Sequence, residues 1–158
     1  MRIRRAEPND VTSIHDLIHQ LAVFERSGEM VEATSAQLLE GFFGEDPKVF
    51  CELAVTDEGE VAGFAVWFLN YSTWTGTHGL YLEDLFVRPE FRGHGYGRAP
   101  LAHLARECVL KGYSRLQWWV LDWNQAAVDF YESLGAEAMN DWTVFRISGD
   151  SLDALANL

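Results

Sequence analysis

The sequence predicts a mixed α/β fold, with a mostly antiparallel sheet and helices on both of its faces. Two apolar runs, Phe50–Thr56 and Val61–Tyr71, flank the turn at residues 57–60 and predict a β-hairpin. A further strand, Leu80–Val87, is followed by a helical segment and another strand, which predicts a parallel crossover connection. At 158 residues the chain has the length of one domain, and we expect a single domain over residues 1–158.

The segment before the hairpin is predicted to form one strand and two helices. Arg2–Ala6 is the predicted strand. The first helix has Asn9 or Asp10 as its N-cap, since these side chains accept hydrogen bonds from the first helical amides. Its apolar residues recur at helical spacing: Ile14, Leu17, Ile18, Leu21 and Ala22. The second helix starts at the capping box Thr34-Ser35-Ala36-Gln37 and runs to about Gly44.

The segment after the hairpin is predicted to alternate strands and helices. Glycines mark the helix ends, because glycine adopts the left-handed C-terminal conformation most easily. The predicted elements are the loop Thr73–Gly79, the strand Leu80–Val87, the helix Tyr96–Lys111 before Gly112, the strand Arg115–Leu121, the helix Gln125–Leu134 before Gly135, the strand Thr143–Ile147, and one or two helical turns after Asp150. The predicted order is therefore βααβββαβαβ.

Composition and charge argue against several classes of function. The chain has 12 basic and 24 acidic residues, and this net charge of −12 argues against nucleic acid, whose phosphates need clustered Lys and Arg. Residues 88–111 nevertheless hold five basic groups against two acidic ones, which predicts two ligands of opposite charge. No apolar stretch suits a membrane helix or a signal peptide. We expect a cytoplasmic protein without membrane partners, with Cys51 and Cys108 as buried free thiols.

The most informative stretch is the glycine turn, residues 92–98, which joins a predicted strand to a predicted helix. Gly93, Gly95 and Gly97 let a ligand approach the backbone and let N–H groups turn inward. The start of the helix adds unpaired N–H groups and a partial positive charge. Arg92 and Arg98 bracket the turn and can bond phosphate oxygens. Together these features predict a pyrophosphate site.

Other interpretations of the glycine turn fit less well. A dinucleotide fingerprint needs glycine where Arg98 stands, and a Walker loop needs Gly-Lys-Ser/Thr, which is absent. A flexible turn without a ligand is the remaining alternative. Pro100 is harmless only if its missing N–H is one that the helix does not pair.

The pattern that remains, Arg-x-x-Gly-x-Gly, resembles the acetyl-CoA signature of GNAT acetyltransferases. Four further segments resemble the diamine (spermidine/spermine) acetyltransferases: Phe24-Glu25, Tyr71-Ser72-Thr73-Trp74, Leu80-Tyr81-Leu82-Glu83-Asp84 and Leu121-Asp122-Trp123-Asn124-Gln125. The Ser-Thr-Trp and Leu-Asp-Trp-Asn-Gln stretches are most similar to the thialysine acetyltransferase branch. The resemblance spans nearly the whole chain. It implies the GNAT fold, N-acetylation of a small cationic amine, acetyl-CoA as cosubstrate, and a homodimer.

The resemblance also implies roles for individual residues. The residues implied to hold acetyl-CoA are Leu85, Phe86, Val87, Arg92, Gly93, His94, Gly95, Tyr96, Gly97, Arg98, Asn124, Ala127 and Tyr131. The residues implied to face the amine are Phe24, Glu25, Trp74, Glu83, Asp84 and Trp142. Glu83 and Tyr131 are the implied catalytic residues, and no metal is implied.

An acid–base pair of this kind suits the reaction. An alkyl amine has a pKa near ~10.4 and arrives protonated, so a carboxylate such as Glu83 is needed to take its proton. A phenol is still protonated at neutral pH, and Tyr131 can therefore donate a proton to the leaving sulfur. A backbone N–H near Phe86 can polarise the acetyl carbonyl. Tyr131 has core packing as its alternative role, and Glu83 and Asp84 point to opposite faces unless a bulge intervenes.

Two departures from the family pattern concern the ligands. Ser72 stands where the polyamine branch has an acid, which favours a shorter amine, and Arg98 stands where the family usually has a small hydroxyl residue.

His15 and His19 have helical spacing but no third ligand, so we predict no metal site. The alternative functions are acetylation of protein lysines or N-termini, and a non-catalytic CoA-binding sensor domain. The sequence does not identify the amine.

Overall fold

The computed structural model describes residues 1–158 and divides them into two compact units, residues 1–119 and residues 120–158. The first unit contains the sheet, and the second contains two helices. The expectation of a single domain remains a prediction. None of the helices has both the length and the apolar character that a membrane crossing requires.

The first unit is built on a five-stranded sheet. Its strands are β1 (Arg2–Arg5), β2 (Phe50–Val55), β3 (Val61–Ser72), β4 (Thr77–Val87) and β5 (Leu116–Gln117), and they lie side by side in chain order. The first three pairings are antiparallel, and β4 pairs with β5 in parallel. The predicted mixed, mostly antiparallel sheet is confirmed.

Helices cover both faces of this sheet, as predicted. They are α1 (Val11–Phe24), α2 (Ser35–Phe43) and α3 (Arg98–Lys111). Consecutive residues of β2 lie on opposite faces of the sheet. Leu53 is fully buried in a core cluster with Ile14 and Leu17 of α1, whereas Glu52 lies 3.9 Å from His103 of α3. This alternation follows from the two-residue period of a strand.

The predicted helix ends are largely confirmed. The Thr34 hydroxyl accepts a hydrogen bond from the Gln37 amide at 3.2 Å, which completes the capping box of α2. Gly112 ends α3 with a φ of 69°, in the left-handed region. Asp10 precedes α1, but its carboxylate accepts hydrogen bonds from Arg4 and from the Glu7 amide instead of capping the helix.

Two element starts differ from the prediction. β4 begins at Thr77 and not at Leu80, because its ladder with β3 continues to the pair Ser72–Thr77 across the hairpin turn. α3 begins at Arg98 and not at Tyr96, because the turns of the glycine-rich segment continue through residue 97 and Gly97 is the N-cap. Pro100 is consequently the third residue of α3, where its missing N–H has no intrahelical partner to lose.

Two predicted strands are shortened or absent. The strand predicted over Arg115–Leu121 is reduced to Leu116–Gln117, since β4 bulges two residues after its last contact with β5 and a bulge bends a strand. The strand predicted at Thr143–Ile147 is wrong: the segment pairs with no other strand, and Phe145 in it is 91% exposed. The second unit contains only α4 (Gln125–Ser133) and α5 (Asp150–Ala156), and α5 confirms the helical turns expected after Asp150.

Candidate functional site

The glycine turn presents a row of backbone amides. Gly93 and Gly95 have φ values of 80° and 85°, and a Cβ built on either would meet no atom within 4 Å, so the space beside them is open. The amides of residues 93–98 donate no hydrogen bond within the chain. The Phe91 and Tyr96 rings, 5.7 Å apart and edge to face, hold the two ends of the turn together. Six free amides at the start of α3 fit the pyrophosphate of CoA.

One edge of β4 is open between Leu82 and Val87, because its ladder with β5 ends at Tyr81. The Arg88 amide donates to the Ala62 carbonyl of the β3 side at 2.9 Å. Backbone hydrogen-bonding direction alternates along an antiparallel pair, so the Phe86 backbone also points toward β3, and those of Leu85 and Val87 point to the open edge. The predicted backbone contacts to a pantetheine arm therefore fit Leu85 and Val87. Those predicted for Phe86 do not fit, whereas the polarising donor predicted near Phe86 stays a prediction, since the amides of Leu85 and Val87 face the open edge.

A β-bulge at Glu83 changes which face the following residues occupy. Leu82 pairs with Trp67, but Asp84 pairs with the preceding residue of β3, Val66, so Glu83 has no partner of its own. Without the bulge Asp84 would share the α3 face with Leu82. With it, Asp84 lies on the α1 face, two residues from Phe86. Neighbouring strand residues can serve one site only if a bulge intervenes, and the bulge at Glu83 meets this condition.

Three carboxylates interact around this bulge. Burial, together with the charges of Glu83 and Glu25, raises the pKa of Asp84 from 3.8 to about 7. Partial desolvation also raises the pKa of Glu25, although its side chain is exposed. Glu25, Glu83 and Asp84, which we call the carboxylate cluster, therefore form an anionic patch that holds a variable number of protons near neutral pH. Such a patch favours a cationic ligand.

The end of α1 positions Glu25. The Ser27 amide donates to the Ala22 carbonyl at 2.8 Å and the Arg26 amide to the Val23 carbonyl at 3.1 Å, which is the bond pattern of a Schellman motif. Arg26 occupies the left-handed position with a φ of 61°, where glycine is usual. The partial negative charge at the end of α1 adds to the anionic character of the cluster.

Arg92 does not extend over the glycine turn. Its Nε–H donates to the Val87 carbonyl at 3.0 Å, and its guanidinium carbon lies 5.1 Å from the Phe24 ring centre and 5.3 Å from the Phe86 ring centre. These side chains, with His19 and others, line a concavity of about 370 Å³. Sequence reasoning missed His19 and the Phe86 side chain. Phe86 lies two residues beyond Asp84, and residues two apart in a strand share a face. Once the bulge had placed Asp84 in the site, this two-residue period would have indicated the Phe86 side chain as well.

One predicted substrate residue of the first unit, Trp74, is not brought to the carboxylate cluster. Trp74 lies in the β3–β4 turn and is 90% exposed. Glu83 lies six residues along β4 from Thr77, a distance of ~20 Å at the usual rise per residue. Trp74 and the cluster therefore do not share a wall within one chain. Trp142, in the second unit, is 68% exposed and outside any helix or strand.

The other predicted residues of the second unit share one face of α4. Asn124 is its N-cap, and the Asn124 side-chain oxygen accepts a hydrogen bond from the Ala127 amide at 3.3 Å. Ala127 and Tyr131 follow at offsets of three and seven residues, so all three lie along one side of the helix. The half-buried Tyr131 ring packs 5.3 Å from the Phe130 ring. One face of α4 thus carries the two CoA contacts that are predicted in this unit, Asn124 and Ala127, and the predicted general acid, Tyr131.

The chain is similar to proteins of known activity over nearly its full length. It is 37% identical to the thialysine N-epsilon-acetyltransferase of Bos taurus, with 98% of this chain and 96% of the relative aligned. It is 33% identical to the L-ornithine N5-acetyltransferase NATA1 of Arabidopsis thaliana, over 99% of this chain and 88% of the relative. A human spermidine/spermine N(1)-acetyltransferase-like protein is 32% identical over 96% of this chain, which spans only 23% of that protein.

Solved structures agree with the fold. An integron cassette protein from the mobile metagenome of V. cholerae has a TM-score of 0.82 and 26% identity, over 99% of this chain and 98% of that one. An aminoglycoside acetyltransferase from a soil metagenome has a TM-score of 0.78 at 17% identity, over 94% and 96%, and supports the fold alone. The acetyltransferase (GNAT) family profile matches residues 11–136. The chain therefore belongs to the GNAT acetyltransferase family and is an acetyl-CoA-dependent N-acetyltransferase.

Proposed function

We propose that this enzyme acetylates the primary amine of a small molecule that carries a second charged group, such as a diamine, a polyamine or a thialysine-like amino acid. The carboxylate cluster is the observation that carries this proposal, because three interacting acids at one bulge suit a cation. Relatives named for L-ornithine and thialysine support a substrate of this size. Ser72, where the polyamine branch has an acid, favours a short amine over a long polyamine.

The chain's own groups divide the work of binding. Acetyl-CoA supplies the activated acetyl group when bound. The amides of residues 93–98, with Arg98, bind its pyrophosphate, and the backbone groups of Leu85 and Val87 bind its pantetheine arm along the open edge of β4. Asn124 and Ala127 on α4 are further proposed contacts. His94 and Tyr96 lie in the glycine turn and complete this proposed set.

The carboxylate cluster prepares the amine. Glu83, exposed at the bulge, accepts the proton of the ammonium group, directly or through a water molecule. Asp84 and Glu25 bind the charge at the other end of the substrate, which stays protonated. Tyr131 donates a proton to the leaving sulfur, since a phenol is protonated at neutral pH. The second proton that the nitrogen loses as the amide forms passes through water and restores the phenol. Attack is direct, and no residue of the chain is acetylated.

A panel of amines tests the proposed substrate class. Short diamines, ornithine, thialysine, spermidine, a neutral-tailed monoamine of matched length and a lysine peptide are each assayed with acetyl-CoA by release of free thiol. We expect kcat/KM for the diamines or basic amino acids to exceed that for the monoamine by about tenfold or more. A preference for the lysine peptide would instead indicate a protein acetyltransferase. If none of the amines in the panel caused release of free thiol, the proposal would be overturned.

The proposed acid is tested by Tyr131→Phe, which keeps the ring contact with Phe130 and removes the O–H group. General acid–base contributions are about 10²–10⁴-fold, so kcat should fall by that order while CoA affinity is retained. Tyr113→Phe, a tyrosine outside the proposed site, is the control. A fall in kcat of less than about threefold would make Tyr131 a packing residue.

Four finer expectations belong to the same proposal. We expect a cytoplasmic homodimer that binds neither membranes nor nucleic acid. The net charge of −12 supports the last expectation, because it repels phosphate backbones. Light scattering at working concentration tests the oligomeric state.

A further inference from the structure

Arg92 lies where it can affect which acyl donors the enzyme accepts. Its guanidinium is held by the Nε–H bond to Val87 and by two cation–π contacts with Phe24 and Phe86. It forms no ion pair with a carboxylate. The positive charge is therefore held by the Val87 carbonyl oxygen at the open edge of β4 and by the rings of Phe24 and Phe86.

The same edge is the proposed place of the thioester arm. Val87 directs its backbone groups away from β3, so its carbonyl is one of the few acceptors that an extended arm could use there. The Arg92 guanidinium occupies one acceptor position of this carbonyl and lies 5.1 Å and 5.3 Å from the centres of the two rings. An arm that pairs at Val87 therefore has to compete with the guanidinium for this carbonyl.

The glycine turn offers the guanidinium another partner. Arg92 directly precedes the six free amides of residues 93–98, and a pyrophosphate bound by those amides brings negative charge to its base. A charge-assisted bond to phosphate is stronger than one to a neutral carbonyl. A donor that carries pyrophosphate can thus draw Arg92 off the edge of β4, whereas a donor without it cannot.

We propose that Arg92 determines specificity for the acyl donor: its guanidinium blocks the place of the thioester arm unless a pyrophosphate draws it to the glycine turn. This inference rests on the proposed function, because it assigns the turn to the pyrophosphate of CoA. It predicts that the enzyme discriminates against thioesters of phosphate-free pantetheine more strongly than loss of the phosphate contacts alone explains.

Binding of pantetheine, the phosphate-free half of CoA that carries the thiol, is the decisive measurement. Its affinity is followed by ligand-observed NMR, and that of CoA by calorimetry, in wild type and in Arg92→Ala. The variant should bind pantetheine about 5- to 30-fold more tightly, the range expected when two exposed cation–π contacts no longer have to be broken. The preference for CoA over pantetheine should shrink by more than this factor.

Two further variants separate blocking from phosphate binding. Phe24→Leu removes one ring and keeps the charge, so it should improve pantetheine affinity by about two- to fivefold. It also serves if Arg92→Ala does not fold. Arg98→Ala removes a charge from the same turn but no contact with Val87, and it should weaken CoA binding without any gain for pantetheine.

The outcomes distinguish the inference from the proposed function. Tighter pantetheine binding in Arg92→Ala and Phe24→Leu, but not in Arg98→Ala, supports a blocking guanidinium. Unchanged or weaker pantetheine binding in both variants overturns it, even if CoA binds normally and the proposed site stands. Wild type that fails to bind CoA overturns the pyrophosphate assignment and the inference with it.

Discussion

The glycine turn and the carboxylate cluster lie at opposite ends of one short stretch of chain, yet they are built differently. The binding groups of the turn are backbone amides, whose directions are set by the left-handed Gly93 and Gly95. The groups of the cluster are side chains from α1 and β4, brought together by a bulge and a helix end. The turn should therefore be sensitive to an added Cβ, and the cluster to the loss of a charge.

The largest effect should come from the cluster, at Glu83. Glu83→Gln keeps the size of the side chain and removes the proton acceptor, so kcat should fall by about 10²–10⁴-fold while CoA affinity is unchanged. Steady-state kinetics with a saturating diamine measure this. Glu58→Gln, an exposed acid in the β2–β3 turn, is the matched control. Near-normal kcat in Glu83→Gln would assign the proton to another group and break the proposed division of roles.

The turn is tested next by Gly95→Val. Gly95 has a φ of 85°, which a β-branched residue rarely adopts, and the new side chain occupies the open space that a pyrophosphate would need. Loss of about two charge-assisted hydrogen bonds predicts a CoA affinity lower by about 100-fold. Calorimetry measures it.

Gly59→Val separates backbone strain from lost binding. Gly59 has a φ of 94° and equally open surroundings, but it lies in the β2–β3 turn. Both variants should lose similar stability, and only Gly95→Val should lose CoA affinity. Equal CoA affinity in the two variants would remove the glycine turn from the site.

The difference between the turn, which consists of consecutive residues, and the cluster, which depends on strand pairing, also explains which features the sequence could predict. The glycine turn is encoded by consecutive residues, so its position before α3 and the harmless Pro100 followed from local rules, and its pyrophosphate ligand stays a prediction. Likewise the capping box at Thr34 and the left-handed Gly112 depend on short-range chemistry. Such features need no knowledge of distant contacts.

Features that depend on pairing were predicted less well. The bulge at Glu83 inserts one unpaired residue, and nothing in the sequence of β4 fixes which residue that is. The Phe86 backbone was misassigned because its direction is set by pairing with β3. The apolar alternation at Thr143–Ile147 predicted a strand, but a strand needs a partner edge, and this segment has none.

Asp84 gives the carboxylate cluster a pH dependence. Its folded pKa of about 7 lies above its ordinary value of 3.8, so the folded state binds an extra proton between these values and loses stability as pH rises through them. Asp84→Asn removes this penalty. Its melting temperature should exceed that of wild type by about 3–8 °C at pH 8 and match it near pH 3.

The same ionisation should strengthen cation binding. A bis-quaternary ammonium inhibitor of diamine length keeps its charge at every pH, so its Ki reports the charge of the cluster alone. In wild type the Ki should fall up to about fivefold from pH 6 to pH 8, as Asp84 becomes negative. In Asp84→Asn it should be flat. A pH dependence that survives in the variant would show that another group supplies it.

The smallest expected effect is at Glu25, whose side chain is exposed to solvent. Glu25 follows the last residue of α1 and interacts with Asp84, but it is open to solvent, so its attraction for a cation is screened. Glu25→Gln should raise KM for a diamine about two- to threefold and leave KM for acetyl-CoA and for a neutral-tailed monoamine unchanged. Added salt should raise KM for the diamine more in wild type than in the variant, because the variant has less charge to screen.

Glu29→Gln, a nearby exposed acid in the turn after α1, is the control for general loss of negative charge. If both variants raise KM equally, the selectivity for cations comes from the net charge of −12 acting at long range, and the carboxylate cluster is not a specific pocket. If only Glu25→Gln acts, and its effect disappears in an Asp84→Asn background, the two carboxylates bind the same cation, since independent sites would give additive effects. That double-variant cycle would define the cluster as one site.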